Sequence, residues 1–396
     1  MLLGLRALFM MNKLPGHILI ALVYNRNGMA SWCIEAARAL ICSGHRITIL
    51  TTSLELLPEE LHPFALCSDD LKAIGFVQKI MFRINRITQN FIPPSFYEKP
   101  VRNAYTRLQA KGEKPGLILI SQSNFLCPAL PVPQMVVAWA WPTGMKGYLQ
   151  KSILIKGRFY IKKLQELWYW YRMDHKAYKH ATGILAVSQA ISESLKKTYP
   201  NTWHLYPCTN LNNASFSVAP VRKLRLFSGC LDLADPRKNV LWMVECLSLL
   251  KQKDIEFDVT LAGNCDAQTE KWIRSKLGEV TLPGTMKRDA FVAEMAQFDI
   301  FIFASLQDDW GYVLIEAMSK GLAVVVPDEH PFYEMVKNSQ CRFKHGNVES
   351  FNRSIEYLLD KKTLAVEKEK QGGYATENFG YEPFVSSLGS IYNQVL

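Results

Sequence analysis

Two carboxylates, Asp308 and Glu316, are separated by Asp309-Trp310-Gly311-Tyr312-Val313-Leu314-Ile315. A strand-like run over 299–304 precedes them, and a helix-like run closed by Gly321 follows. A strand–loop–helix turn of this kind offers free backbone N–H groups and the positive end of a helix dipole, which together suit a phosphate. Gly311 lets backbone approach a ligand closely. Glu316 falls about one to two turns below the helix start, where its carboxylate can accept hydrogen bonds from sugar hydroxyls. The segment reads as a cradle for a nucleotide sugar. A second charged group, Arg237-Lys238, follows Asp235-Pro236 and is expected to open a helix after the strand at 224–229. A cation at a helix start opposes the dipole, and a lysine's long stem can reach a diphosphate.

The elements that must position these groups recur twice along the chain. Residues 18–24 form a continuous apolar run, as in a strand buried on both faces. A turn at 25–28, a helix at 29–42 ended by Gly44 and a β-branched strand at 46–51 complete a βαβ opening. Further strands are expected at 117–121, 135–139 and 184–188, and a helix at 188–199. Residues 200–220 contain no Lys, Arg, Asp or Glu and are rich in Asn, Ser, Thr and Pro, so the domain linker lies there. The alternation then restarts, with strands at 224–229, 257–263, 299–304 and 322–326 and helices at 239–251, 287–298, 351–359 and 382–395. The pattern predicts an α/β protein of two doubly wound, Rossmann-like domains facing across a cleft.

The 396 residues suffice for two cores, and 48% hydrophobic with 21% charged residues fits a globular protein. The net charge of +10 is uneven: 25 basic and 11 acidic residues precede Val218, against 21 and 25 from there on. The basic first half calls for an anionic partner. The nine cysteines show neither CxxC nor metal-ligand spacing, which predicts reduced thiols in the cytoplasm and no metal site. No apolar run reaches the ~20 residues of a membrane span, and residues 1–11 read as a flexible extension.

The second half resembles the family 4, or group 1, retaining glycosyltransferases of the GT-B fold. The resemblance is carried by the stretch from Gly229 to Lys238-Asn239, by Leu261-Ala262-Gly263, and by the stretch from Phe303-Ala304-Ser305 to Glu316-Ala317-Met318-Ser319-Lys320-Gly321. It implies an acceptor-side domain over 1–205, a linker over 206–219, a donor-binding domain over 220–379 and a final helix, 380–396, packing back on the first domain. It further implies that Glu316 binds the donor ribose and that Lys238, with Arg237, contacts the diphosphate. Backbone N–H groups of Tyr312 and Val313 would hold the same diphosphate. Asp308, with backbone near Trp310 and Gly311, would touch the sugar. Gly28 would close a first-domain loop on the diphosphate, and backbone near Pro283 and Gly284 would hold the base. Three positions depart from the family: Asp308 replaces a Glu, Cys230 stands where an Arg is common, and Trp139 and Trp141 stand where a His commonly faces the acceptor.

The expected function is transfer of a hexose-type sugar, with retention and without metal or cofactor, from a UDP-, GDP- or ADP-sugar to a glycan or lipid-linked acceptor. The setting implied is bacterial envelope polysaccharide synthesis. A non-catalytic binding or accessory protein of the same fold is the alternative. Residues 146–179 interleave lysines and arginines with Tyr, Trp and Phe, which suits an anionic bilayer surface and a peripheral place on the inner face of the plasma membrane. A solvated basic face is the competing reading. No nucleic-acid motif accompanies the stretch, so no nucleic acid is expected.

Overall fold

Runs such as Leu-Ile-Leu-Ile and Ala-Val-Val-Val-Pro hide apolar side chains only when both faces of a strand are covered, and parallel sheets under helices provide that cover. The computed structural model describes residues 14–21, 28–73, 94–121, 127–139, 174–211, 223–306, 308 and 310–396. The chain divides into two units, Met1–Asn210 with Tyr381–Leu396, and Leu211–Gly380. Among the described residues, both main sheets are wholly parallel, as the alternating pattern predicts. Also among these residues, no helix is long and apolar enough to cross a membrane.

The first unit contains β1 (His17–Ala21), α1 (Gly28–Cys42), β2 (Arg46–Thr51), β3 (Ala65–Cys67), α2 (Pro94–Ala110), β4 (Leu117–Ile120), β5 (Gln134–Ala138), β6 (Gly183–Ala186), α3 (Gln189–Lys196) and β7 (Thr202–His204). Its strands run in the order β3-β2-β1-β4-β5-β6-β7. The strand order reverses between β1 and β4, and α1 follows β1 there. Residues 140–173, including Trp141 and most of the basic aromatic stretch, lie outside the described residues, as do residues 1–13 and 212–222.

The second unit contains β8 (Leu224–Asp232), α4 (Val240–Lys251), β9 (Phe257–Asn264), α5 (Ala267–Leu277), α6 (Arg288–Met295), β10 (Ile300–Ile302), α7 (Tyr312–Ser319), β11 (Ala323–Pro327), α8 (Phe332–Met335), β12 (Arg342–Phe343), α9 (Val348–Tyr357) and α10 (Lys361–Phe379). The sheet order is β12-β11-β10-β8-β9, a doubly wound arrangement whose switch point lies between β8 and β10. Phe227 of β8 sits amid Phe298, Phe291 and Phe301 at ring-centroid distances of 4.7, 5.1 and 5.9 Å, which anchors α6 and β10 to the sheet centre.

Several boundaries differ from the sequence expectation. The helix expected from 239 begins at Val240, because Asn239 takes a left-handed φ of 55° at its N-cap. Lys238 therefore occupies a turn rather than a helix. The helix expected to start at 351 starts at Val348, where the Asn347 side chain accepts from the Ser350 N–H at 2.8 Å. The helix α10 has no counterpart in the sequence reading. Its inward face carries Glu367, Lys368 and Gln371, all buried, so apolar periodicity does not announce it. The last helix, α11 (Tyr381–Val395), belongs to the first unit. There Tyr381 donates to Glu35 Oε2 at 2.7 Å, and Phe384 meets Trp32 edge-on at 6.0 Å. All nine cysteines are free thiols, and burial pushes those of Cys33 and Cys246 up to about 12.

Candidate functional site

Open α/β sheets bind ligands outside the carboxyl ends of their strands, at the switch point. In the second unit that point is bounded by the turn after β8 and the loop after β10. The two are tied together by backbone and side chain. Leu306 N–H donates to the Arg237 carbonyl at 2.7 Å, and Ser305 Oγ donates to the same oxygen at 3.2 Å. Lys238 Nζ consequently meets Asp308 Oδ2 at 2.7 Å, with each side chain about a quarter exposed. The ammonium also lies 6.0 Å from the centroid of Phe303.

The turn bearing these cations is held from within. Asp235 accepts from the Arg237 backbone N–H at 2.9 Å and from guanidinium Nη2 at 2.6 Å. That guanidinium contact, foremost, holds the Asp235 carboxyl below the usual carboxylate range. The Arg237 side chain is thus clasped by its own turn, while the Lys238 side chain pairs with Asp308 in the β10 loop. Cys230, at the end of β8, donates its thiol to the Asp232 carbonyl at 3.1 Å. Burial pushes that thiol up to about 11, against the opposing pull of the Lys238 charge. The Cys at this position is a neutral group and adds no cation to the site.

The helix α7 begins at Tyr312 immediately past this loop, with Gly311 at its N-cap. A Cβ on Gly311 would stand 2.7 Å from Leu314 Cδ1 and 3.0 Å from its Cγ. The absence of a side chain therefore lets the loop enter the helix tightly and leaves the Tyr312 and Val313 N–H groups at its N-terminal end. Trp310 is buried, with its ring edge-on to Phe379 of α10 at 5.5 Å. That indole braces the loop from below. On α7, Glu316 is buried, and its Oε1 accepts from Arg288 Nη2 at the start of α6.

At the end of β9, Gly263 has φ +153°, and its N–H donates to the Gly284 carbonyl at 2.9 Å. This bond seats Pro283 and Gly284 against the strand end, with Gly284 itself at φ +76°. Lys238, Asp308 and the α7 start are thus brought together, with Glu316 following on the same helix. In the first unit, Gly28 opens α1 after β1. Trp139, just beyond β5, is buried and donates its indole N–H to the Ser121 carbonyl at 3.0 Å, so its single donor is committed inside that unit. Among the described residues, no group of three or more His, Cys, Asp and Glu could hold a metal ion.

Arg288 is the site residue that sequence reasoning missed. A signal was present, since Lys287-Arg288 places cations at a helix start, where they oppose the dipole just as Lys238 was expected to.

Residues 222–361 match the family described as Glycosyl transferases group 1. No curated protein matches the chain in sequence. Among solved structures, the chain is similar to sucrose-phosphate synthase from Thermosynechococcus elongatus, with 13% identity, TM-score 0.66 and coverage of 96% of this chain and 98% of that one. It is similar also to a variant of S. aureus TarM in complex with fondaparinux, alpha-GlcNAc-glycerol and UDP, with 10% identity, TM-score 0.65 and coverage of 95% and 99%. A third is WaaG, a glycosyltransferase involved in lipopolysaccharide biosynthesis, with 14% identity, TM-score 0.59 and coverage of 94% and 99%. The chain shares the GT-B fold of these glycosyltransferases, and residues 222–361, within its second unit, match the group 1 glycosyltransferase family.

Proposed function

We propose that the chain transfers a hexose-type sugar from a nucleotide-diphosphate sugar to a glycan or lipid-linked acceptor, with retention and without a metal ion. The observation that carries this reading is the Lys238–Asp308 pair, 2.7 Å apart at the switch point and next to the start of α7. As the glycosidic bond breaks, the departing diphosphate gains negative charge. Lys238 and the N–H groups of Tyr312 and Val313 would stabilise that charge more in the transition state than before it, which is the condition for a lower barrier. Asp308 holds the ammonium at 2.7 Å and would turn to a sugar hydroxyl when a diphosphate takes the lysine over. Glu316 would accept from the ribose, and Pro283 and Gly284 would face the base.

The comparisons support a nucleotide sugar as donor, since the TarM variant holds UDP and a GlcNAc-glycerol. WaaG's involvement in lipopolysaccharide biosynthesis supports an envelope polysaccharide setting. The basic first half would bring a lipid-linked acceptor from an anionic bilayer face.

The test is direct. A thermal-shift screen across UDP-, GDP- and ADP-sugars should single out one nucleotide, because a ligand bound only by the native state raises Tm. With that donor, purified protein should transfer or slowly hydrolyse the sugar in the presence of EDTA. Binding without turnover on any glycan or lipid-linked acceptor would favour an accessory protein. The buried, hydrogen-bonded Trp139 at the carboxyl end of β5 is the observation that keeps this second reading in view.

A further inference from the structure

The helix α7 buries Leu314, Ile315, Glu316, Ala317, Met318 and Ser319. An ionised carboxylate among such neighbours is costly unless it is paired. The partner comes from another helix: Arg288, the first residue of α6, donates from Nη2 to Glu316 Oε1. The Arg288 side chain is 48% exposed and that of Glu316 11%, so the guanidinium reaches inward from the surface to an interior charge. Its position at a helix start disfavours a cation electrostatically. The favourable term is the carboxylate on the neighbouring helix.

We propose that Arg288 is a positioning residue for nucleoside recognition, fixing the Glu316 carboxylate so that it accepts from the vicinal 2′- and 3′-hydroxyls of a ribonucleoside diphosphate. The inference rests on the reading of Glu316 as the ribose contact. A carboxylate offers about four lone-pair sites on its two oxygens. A planar guanidinium fixes the orientation of the whole group as a rotating ammonium does not. Without Arg288, the carboxylate would rotate toward water or take up a proton, and either change removes acceptors aimed at the diol. The ligand class this predicts is a ribonucleotide in preference to its deoxy analogue.

The experiment is calorimetric titration of wild type, R288A, R288K, E316Q and the R288A/E316Q double variant. The probes are UDP, GDP and ADP, then the 2′,3′-dideoxy form of whichever binds, and inorganic pyrophosphate. Wild type should prefer the ribonucleotide by about tenfold or more, the scale of a hydrogen bond to a charged group. R288A should lose most of that preference while its pyrophosphate affinity stays within about twofold of wild type, and R288K should recover part of it. In the E316Q background, R288A should add no further loss, as expected for a residue acting only through Glu316. R288A retaining the full ribose preference, or weakening pyrophosphate and nucleotide alike, overturns the proposal. Should R288A fail to fold, R288Q carries the same comparison. A wild-type protein that binds none of the three nucleoside diphosphates overturns the donor-site reading itself, an outcome distinct from binding that R288A leaves unchanged.

Discussion

Lys238 and Asp308 hold each other at 2.7 Å, so a change at either alters the surroundings of both. Lys238→Ala removes the cation that would meet the leaving diphosphate. It should lower transfer at least about tenfold, roughly 1.4 kcal/mol of barrier. Asp308→Ala should lower transfer as well. The two losses should combine to less than their product, because each single variant already breaks the shared contact. Initial rates of the two single variants and the double variant check this, and strictly multiplicative losses would count against a common role. At this scale the sequence was informative wherever residues meet through local spacing. Asp308, Gly311 and Glu316 sit on one strand–loop–helix turn, so their order alone places them. Lys238 could be tied to that turn only through family resemblance, because its contact spans 70 positions. The Arg288–Glu316 contact spans 28, and no periodicity links residues on two different helices.

Strands and helices were legible where burial is apolar. β1, β4, β5 and β11 are buried along their full length, and unbroken hydrophobic runs announce them. The short strands β3, β7 and β12 are only partly buried, and the polar inward face of α10 hid a 19-residue helix. That face has a structural task. Lys368 Nζ reaches Asp299 Oδ1 at 3.0 Å, and Arg225 Nε reaches Oδ2 at 3.1 Å, with Asp299 and Lys368 both buried. The cluster ties α10 to β8 and to the residue just before β10. Burial works to raise the Asp299 pKa, but the hydrogen bonds from Arg225 and Lys368 more than offset it and hold the carboxyl below its ordinary value. A carboxyl depressed on folding contributes stability that is present above its unfolded pKa of about 3.9. That contribution is lost as pH falls through the lower folded value. Lys368→Ala should therefore destabilise the second unit at neutral pH by about 3 kcal/mol, the low end for breaking a buried pair, since Arg225 remains. Urea melts of the two proteins should converge as pH falls below about 3.9. A gap that persists unchanged into acid would show that Lys368 acts through packing and not through charge.

The chain passes between its units twice, once between Asn210 and Leu211 and once between Gly380 and Tyr381, so the first unit is completed by residues that follow the whole of the second. The apolar face of residues 382–395 showed that this helix needs a partner, but apolar periodicity names no partner. The structure supplies it through shape and through one buried charge. Phe384 is 2% exposed against Trp32, and Tyr381 caps Glu35, whose other oxygen takes Arg38 Nη1 at 2.8 Å. Tyr392 adds a bond to the Gly116 carbonyl at 3.2 Å, and Trp203 one to Gln394 at 2.8 Å. These contacts bind α11 to α1, to the start of β4 and to β7, all within the first unit. Phe384→Ala should empty that seat and destabilise the first unit by about 3–5 kcal/mol, the range for truncating a buried Phe. The second unit has its own core around Phe227. Native-state hydrogen exchange should therefore show faster exchange in β1 and β4 of the variant, with the amides of Val324, Val325 and Val326 in β11 unchanged. A nucleoside diphosphate that binds the second unit should still protect β11 in the variant. Equal loss of protection in both sheets would mean that the two units unfold as one, and that the last helix stabilises the whole chain rather than the half it rests on.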